Sequence, residues 1–316
     1  MANIDRVTAQ LTVGLIAGDL RARAECSLSC LLNQTALDRM EIVVVDIGHR
    51  EGAFAGAAHP RVRYIRRPDF RHYCEAQAEV VRQARTPLVA FVEDHCYATP
   101  GWAQAVLETF ENPRVAAVNY TFTPAGNTGY LGRSILMAEY GNWMFPHPGG
   151  RVRICSSTNL AYRRKVLLEE IRGRESLFEA EFLVQRAIAR RGMEIHLAPR
   201  ATLAHESWST LRDACAANGA NKRVLGSRRS ELGGWGPFRR AVWAAAMGLA
   251  PGLFLARLAW SLRRRPALWV TYLTGLPVMT AIYCACAWHE AKGYLWGAGQ
   301  SREELAAREL AVSRNA

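Results

Sequence analysis

Apolar positions follow two periods along the first two thirds of the chain. Short apolar or β-branched runs at 11–16 (LTVGLI), 41–46 (EIVVVD) and 87–92 (PLVAFV) fit strands covered on both faces, and 61–65 (RVRYI) fits another. Between them, Ala24, Leu28, Leu31 and Leu32 recur at helical spacing within 22–34, and further helices are expected at about 74–85 and 101–110. A strand at 114–120 follows. Alternation of this kind predicts an α/β layer structure with a mostly parallel sheet flanked by helices. Such sheets bind ligands beyond the carboxyl ends of their strands. Asp46 and the run Glu93-Asp94-His95 stand at two such ends, which is the first pointer to function. Residues 121–157 are rich in Gly, Pro and aromatics and read as loops around a short helix. A strand and helix resume at 153–172, a longer helix at about 179–191 and a strand at 193–197.

The last third is different. Residues 241–262 are apolar apart from Arg257, and 266–288 carry no charge. Each is long enough to cross a hydrocarbon core of about 30 Å. Arg239 and Arg240 precede the first segment, and Arg263, Arg264 and Arg265 separate the two. A spanning hairpin would leave one arginine cluster outside, against the positive-inside tendency. Two tilted or interfacial helices keep both clusters at the level of anionic headgroups. A soluble helical subdomain is the other reading. The expected organisation is a first domain at 1–210, a basic linker at 211–237, membrane-associated helices at 238–298 and a tail at 299–316.

Composition narrows the partners. The 316 residues are 50% hydrophobic and 22% charged, enough to bury a core and too apolar for a disordered chain. Forty basic against 28 acidic residues leave +12, which suits anionic lipid or a phosphorylated substrate. Nucleic acid is not expected, because the charge is spread and no DNA or RNA module is present. The eight cysteines include no CxxC pair and are poorly spaced for a zinc site, so they read as free thiols in a reducing compartment. The N-terminal residues lack the charged-then-apolar pattern of a signal peptide.

Four segments, taken in order, resemble the family 2 glycosyltransferases, whose fold is the Rossmann-like GT-A fold. LTVGLIAGDLRARAECSLSCLLNQT followed by EIVVVD is similar to the family's opening strand, helix and second strand ending in Asp. PLVAFVEDHCYATPGW resembles the strand and metal-motif segment, SSTNLAYRRKVL the acceptor-side segment, and GMEIHLAPRATLAH the strand ending in Pro-x-Ala-x-x-x-His. The resemblance runs from about residue 10 to 208. It departs at 16–19, where Ile-Ala-Gly-Asp replaces Pro-Thr-Tyr-Asn, and at Ile47, where a second acid is common.

The resemblance implies a membrane-associated, bacterial-type enzyme, a metal-dependent inverting hexosyltransferase. It would move a sugar from a nucleotide-sugar donor, most commonly a UDP-sugar, to a lipid-linked or growing glycan acceptor in cell-envelope polysaccharide synthesis. Its place would be the cytoplasmic face of the inner membrane. Ala17, Asp46, Glu93, Asp94 and Asn159 would contact the donor. His95 and His205 would hold a divalent metal, Mn²⁺ or Mg²⁺, His95 standing where Asp-x-His occurs in polypeptide N-acetylgalactosaminyltransferases. Inversion needs a base to take the acceptor proton; Glu181 or Glu179 would serve, since Ala180 occupies the family's Asp position. The alternative is a non-catalytic nucleotide-sugar-binding or scaffold protein of a glycan assembly complex.

Overall fold

The computed structural model describes residues 9–49, 54–126, 128–153, 155–156, 158–171, 181–311 and 314–315. Two compact units emerge, the first from residues 1–123 and 148–204, the second from 124–147 and 205–316.

In the first unit the apolar runs become strands. β1 (Leu11–Ala17), α1 (Arg21–Leu32), β2 (Met40–Asp46), β3 (Val62–Arg66), α2 (Tyr73–Gln83) and β4 (Leu88–Glu93) follow the expected alternation. β3, β2, β1 and β4 lie side by side and parallel, with Leu11 opposite Met40 and Leu88. β1 is buried throughout, and every residue of β2 is buried except half-buried Glu41; an apolar run without alternation is what a strand covered on both faces requires. Gly14 lets α2 close on β1, since a Cβ there would meet Val80 Cγ1 at 2.5 Å.

The sheet then changes direction. β5 (Cys96–Ala98), α3 (Trp102–Thr109) and β6 (Val115–Pro124) are followed, in the second unit, by α4 (Tyr130–Tyr140). Back in the first unit come β7 (Gly150–Arg151), β8 (Leu160–Arg163), α5 (Arg164–Ile171), α6 (Phe182–Arg190) and β9 (Glu194–His205). β8 runs antiparallel to both β4 and β6, so the block of parallel strands continues into one mixed nine-stranded sheet. The strand expected at 193–197 extends to His205, which carries it out of the first unit at its last residue.

The second unit is helical. β10 (Ser207–Trp208) leads into α7 (Leu211–Leu232), α8 (Pro237–Ala246), α9 (Ala250–Leu262), α10 (Trp269–Trp296) and α11 (Ser301–Ala311), with β11 (Arg314–Asn315) pairing back on β10. The basic stretch after His205 is thus α7, opened by Thr210, whose hydroxyl accepts the Asp213 N–H. One side of α10 is covered within the unit. Val278, Ile282 and Cys286 pack with Ile135, Ala214 and Ala217, while Tyr272 and Met279 pack with Leu136, Met137 and Leu258. Gly226 makes close helix contact possible, because a Cβ there would lie 2.6 Å from the Glu290 carbonyl oxygen.

Candidate functional site

The carboxyl ends of β1, β2 and β4 carry Ala17, Asp46 and Glu93. Asp46 is fully buried and its carboxylate is engaged from three sides. Oδ2 accepts from Arg21 Nη2 at 2.7 Å and from the Tyr64 hydroxyl at 2.5 Å, and Oδ1 accepts the Gly48 N–H at 2.9 Å. Burial and that acceptor push the Tyr64 phenol up to about 12. The Ala17 carbonyl accepts the Ile47 N–H at 2.9 Å. Ile47 is itself core, so an apolar residue after Asp46 serves packing.

A two-residue turn joins β4 to β5 and presents Glu93, Asp94, His95 and Cys96 together, all buried. Asp94 Oδ2 accepts from Arg23 Nη2 at 2.8 Å, and Oδ1 lies 3.0 Å from His95 Nδ1. A carboxylate on Nδ1 orients the ring and leaves Nε2 as the ligand atom, the usual support of a metal-binding histidine. Asn159, fully buried just before β8, clamps Glu93 from both sides. Its Oδ1 accepts the Glu93 N–H at 3.1 Å and its Nδ2 donates to Oε2. Ser156 Oγ in turn donates to the Asn159 carbonyl at 3.2 Å.

Glu93 Oε2 lies 3.5 Å from His95 Nε2 and 3.9 Å from Cys96 Sγ, so three donors converge within the first unit, while His205 stands at the end of β9 in the second. A carboxylate, an imidazole and a thiol are donors that a divalent metal ion accepts, so the residues present can hold one. Cys96 was not singled out by the sequence. Its signal was the tetrapeptide Glu-Asp-His-Cys at a strand end, where the partners of the thiol are not other cysteines.

Glu181 stands at the start of α6, 3% exposed. Its Oε2 accepts the Thr158 N–H, and Oε1 lies 3.5 Å from Gln77 Nε2. Burial, with a contribution from the negative charge of Glu93, raises its carboxyl from 4.5 to about 8 despite both hydrogen bonds. Thr158 holds a left-handed backbone, φ 66°, which costs a β-branched residue about 1–3 kcal/mol. The strained residue therefore supplies the main-chain donor to Glu181. Glu179 lies outside the described residues.

Residues 24–170 match the family described as glycosyl transferase family 2. No curated protein matches the chain in sequence. Among solved structures, the mannosyltransferase PcManGT from Pyrobaculum calidifontis, in complex with GDP-Man and Mn²⁺, is similar at 18% identity and a TM-score of 0.57, over 92% of this chain and 88% of that one. GalNAc-T7 with UDP, GalNAc and Mn²⁺ aligns at 12% identity and TM-score 0.49, over 64% of this chain and 44% of that one. S. aureus TarS 1–349 aligns at 12% and 0.48, over 87% and 90%. The fold is that of the GT-A glycosyltransferases.

Proposed function

We propose that the chain is an inverting glycosyltransferase that moves a hexosyl group from a nucleoside-diphosphate sugar to a lipid-linked or growing glycan acceptor. The observation that carries the reading is the convergence of Glu93, His95 and Cys96 at the end of β4, inside the segment that matches glycosyl transferase family 2. Glu93 and His95 would hold a divalent ion, which stabilises the charge of a departing diphosphate, and by resemblance His205 would be a further ligand. Asp94 keeps His95 in its ligating tautomer, and Asn159 fixes the Glu93 carboxylate. Ala17 and Asp46 close the ends of β1 and β2 on the donor side, with Asp46 holding Arg21 and Tyr64 in place.

Glu181 is the base. The acceptor hydroxyl attacks the anomeric carbon, the bond from that carbon to the diphosphate oxygen breaks, and the hydroxyl proton passes to the Glu181 carboxylate. Thr158 N–H and Gln77 orient that carboxylate, and burial keeps water from competing for it. The donor is a UDP-sugar by resemblance, and GDP-Man is the donor bound in PcManGT. Incubation with UDP- and GDP-sugars, with and without Mn²⁺, tests the function directly. Metal-dependent release of nucleoside diphosphate supports it, and no release from any donor refutes it.

The second unit suits a membrane surface at the cytoplasmic face. Two stretches, Pro237–Leu262 and Pro266–Trp296, are long and apolar enough to cross a membrane. One side of α10 is committed to protein, including the Tyr283 hydroxyl on the Ala138 carbonyl at 2.9 Å, which favours an in-plane arrangement. The outward side chains include Phe238, Leu249, Trp260, Val270, Trp288 and Trp296, all more than half exposed. No acidic residue occurs from 232 to 289, while Arg239, Arg240, Arg257, Arg263 and Arg264 do, a pairing that attracts anionic lipid.

A further inference from the structure

The turn between β4 and β5 places a thiol where a third protein ligand would stand. Cys96 is fully buried, and the Ser27 hydroxyl donates to its carbonyl at 2.8 Å, which anchors the start of β5. Its Sγ lies 3.9 Å from Glu93 Oε2, and His95 Nε2 lies 3.5 Å from the same oxygen. Metal–ligand bonds of about 2.0–2.3 Å set neighbouring donors of a tetrahedral ion roughly 3.3–3.8 Å apart. The two measured edges are close to those of such a tetrahedron before any ion draws them in.

We propose that Cys96 Sγ is a metal ligand and that the set Glu93, His95 and Cys96 prefers a borderline-soft ion, Zn²⁺, over Mn²⁺ or Mg²⁺. The ion-binding part of the proposed function is its premise; the donor and the acceptor are not. The chemistry follows from the donors. Mg²⁺ and Mn²⁺ favour carboxylate, carbonyl and water, and Mn²⁺ stands at the weak end of the divalent series for mixed N, O and S sites. Thiolate and imidazole favour Zn²⁺, with Co²⁺ of similar preference. Asp94 on His95 Nδ1 is the second shell such a site requires. Three protein donors also leave a fourth position open for a phosphate oxygen.

The test is Co²⁺ titration of the metal-free full-length protein, followed by absorption. The expected result is a near-ultraviolet sulfur-to-cobalt charge-transfer band together with strong visible bands of tetrahedral Co²⁺. Stoichiometric Zn²⁺ should abolish both, and excess Mn²⁺ should not. Cys96→Ser should remove the charge-transfer band and weaken Co²⁺ binding by more than the roughly 10–100-fold typical of losing an outer-shell partner. Cys74→Ser, a buried thiol elsewhere in the first unit, should keep the band. Zinc-edge X-ray absorption of the unmutated protein should count one sulfur, so the answer does not depend on the variant folding. Visible bands without charge transfer, a band that survives Cys96→Ser, displacement by Mn²⁺, or a zinc shell without sulfur would each overturn the proposal. A protein that turns over no donor with any metal would defeat the transferase reading and leave these spectra unchanged.

Discussion

Replacing Glu181 by Gln separates the base from its surroundings. The wild-type carboxyl is raised to about 8, so ionising it inside the fold costs about 5 kcal/mol more than in water. Because the folded state holds this proton more tightly than the unfolded chain, the neutral acid's contribution to stability is complete below about 4.5. It then falls by about 1.4 kcal/mol per pH unit and is gone once the pH has passed through about 8. The Gln variant has no proton to lose and should lack that slope, while its amide oxygen still accepts the Thr158 N–H. Rate behaves in the opposite sense: transfer needs the anion, so wild-type kcat should climb nearly tenfold per pH unit up to about 8 and then level. A metal held by Glu93 offsets that residue's charge and should move the limb to lower pH. Glu181→Gln should reduce kcat by about 10² or more at the plateau, with little change in donor affinity. Single-turnover transfer and urea midpoints, both taken across pH, check the two slopes. A flat wild-type profile with chemistry rate-limiting, or a Gln variant of normal rate, would refute the assignment and move the role to Glu179.

Arg23→Met removes the guanidinium opposite a buried Asp94 carboxylate, since the pair is 7% and 6% exposed, and should cost about 3–5 kcal/mol by urea denaturation; a loss under 1 kcal/mol would show that the pair is not what stabilises Asp94. Thr158→Gly relieves the left-handed strain and keeps the N–H on Glu181, so the urea midpoint should hold or rise and the pH limb of the rate should stay in place. A clear fall in midpoint would mean that the threonine side chain holds the loop. On the membrane side, the full chain should float with anionic vesicles and bind neutral ones weakly. Trp260→Glu should cut the bound fraction several-fold, and high salt should strip only part of it, because apolar burial is not screened. Equal recovery from neutral and anionic vesicles would remove the arginines from the account.

The strands were legible because a parallel strand covered on both faces leaves an unbroken apolar run, as in Met40–Asp46, and its last residue is then known to within a residue or two. From that placement alone, Asp46 and Glu93 could be set at strand ends. Direction was not legible: β8 reverses against β4 by long-range pairing, and nothing in Leu160–Arg163 records its orientation. Nor does the basic composition of 211–232 show that α7 is a packing element, because its buried face, Val224 apart, is made of Ala, Gly and Ser rather than large apolar residues. Cys96 was hidden for a related reason. Cysteine spacing detects thiols that bind metal with each other, and this one stands beside a carboxylate and an imidazole.

The first turn of α1 resolves a further oddity. It carries Arg21 and Arg23 and no acid, although the positive end of a helix dipole favours acids there. Each arginine is held by an acid at a strand end, Arg21 by Asp46 at 2.7 Å and Arg23 by Asp94 at 2.8 Å. The four acids Asp46, Glu93, Asp94 and Glu181 thus divide into two kinds. Asp46 and Asp94 are paired with arginines of α1. Glu93 sits among metal-ligand atoms, and Glu181 is lifted to about 8 in part by the charge of Glu93. A cation at Glu93 would therefore act on Glu181 without touching it, by offsetting the part of the rise that comes from the Glu93 charge and leaving the larger part that comes from burial. That coupling would prepare the base when the ion, and the diphosphate it serves, is in place.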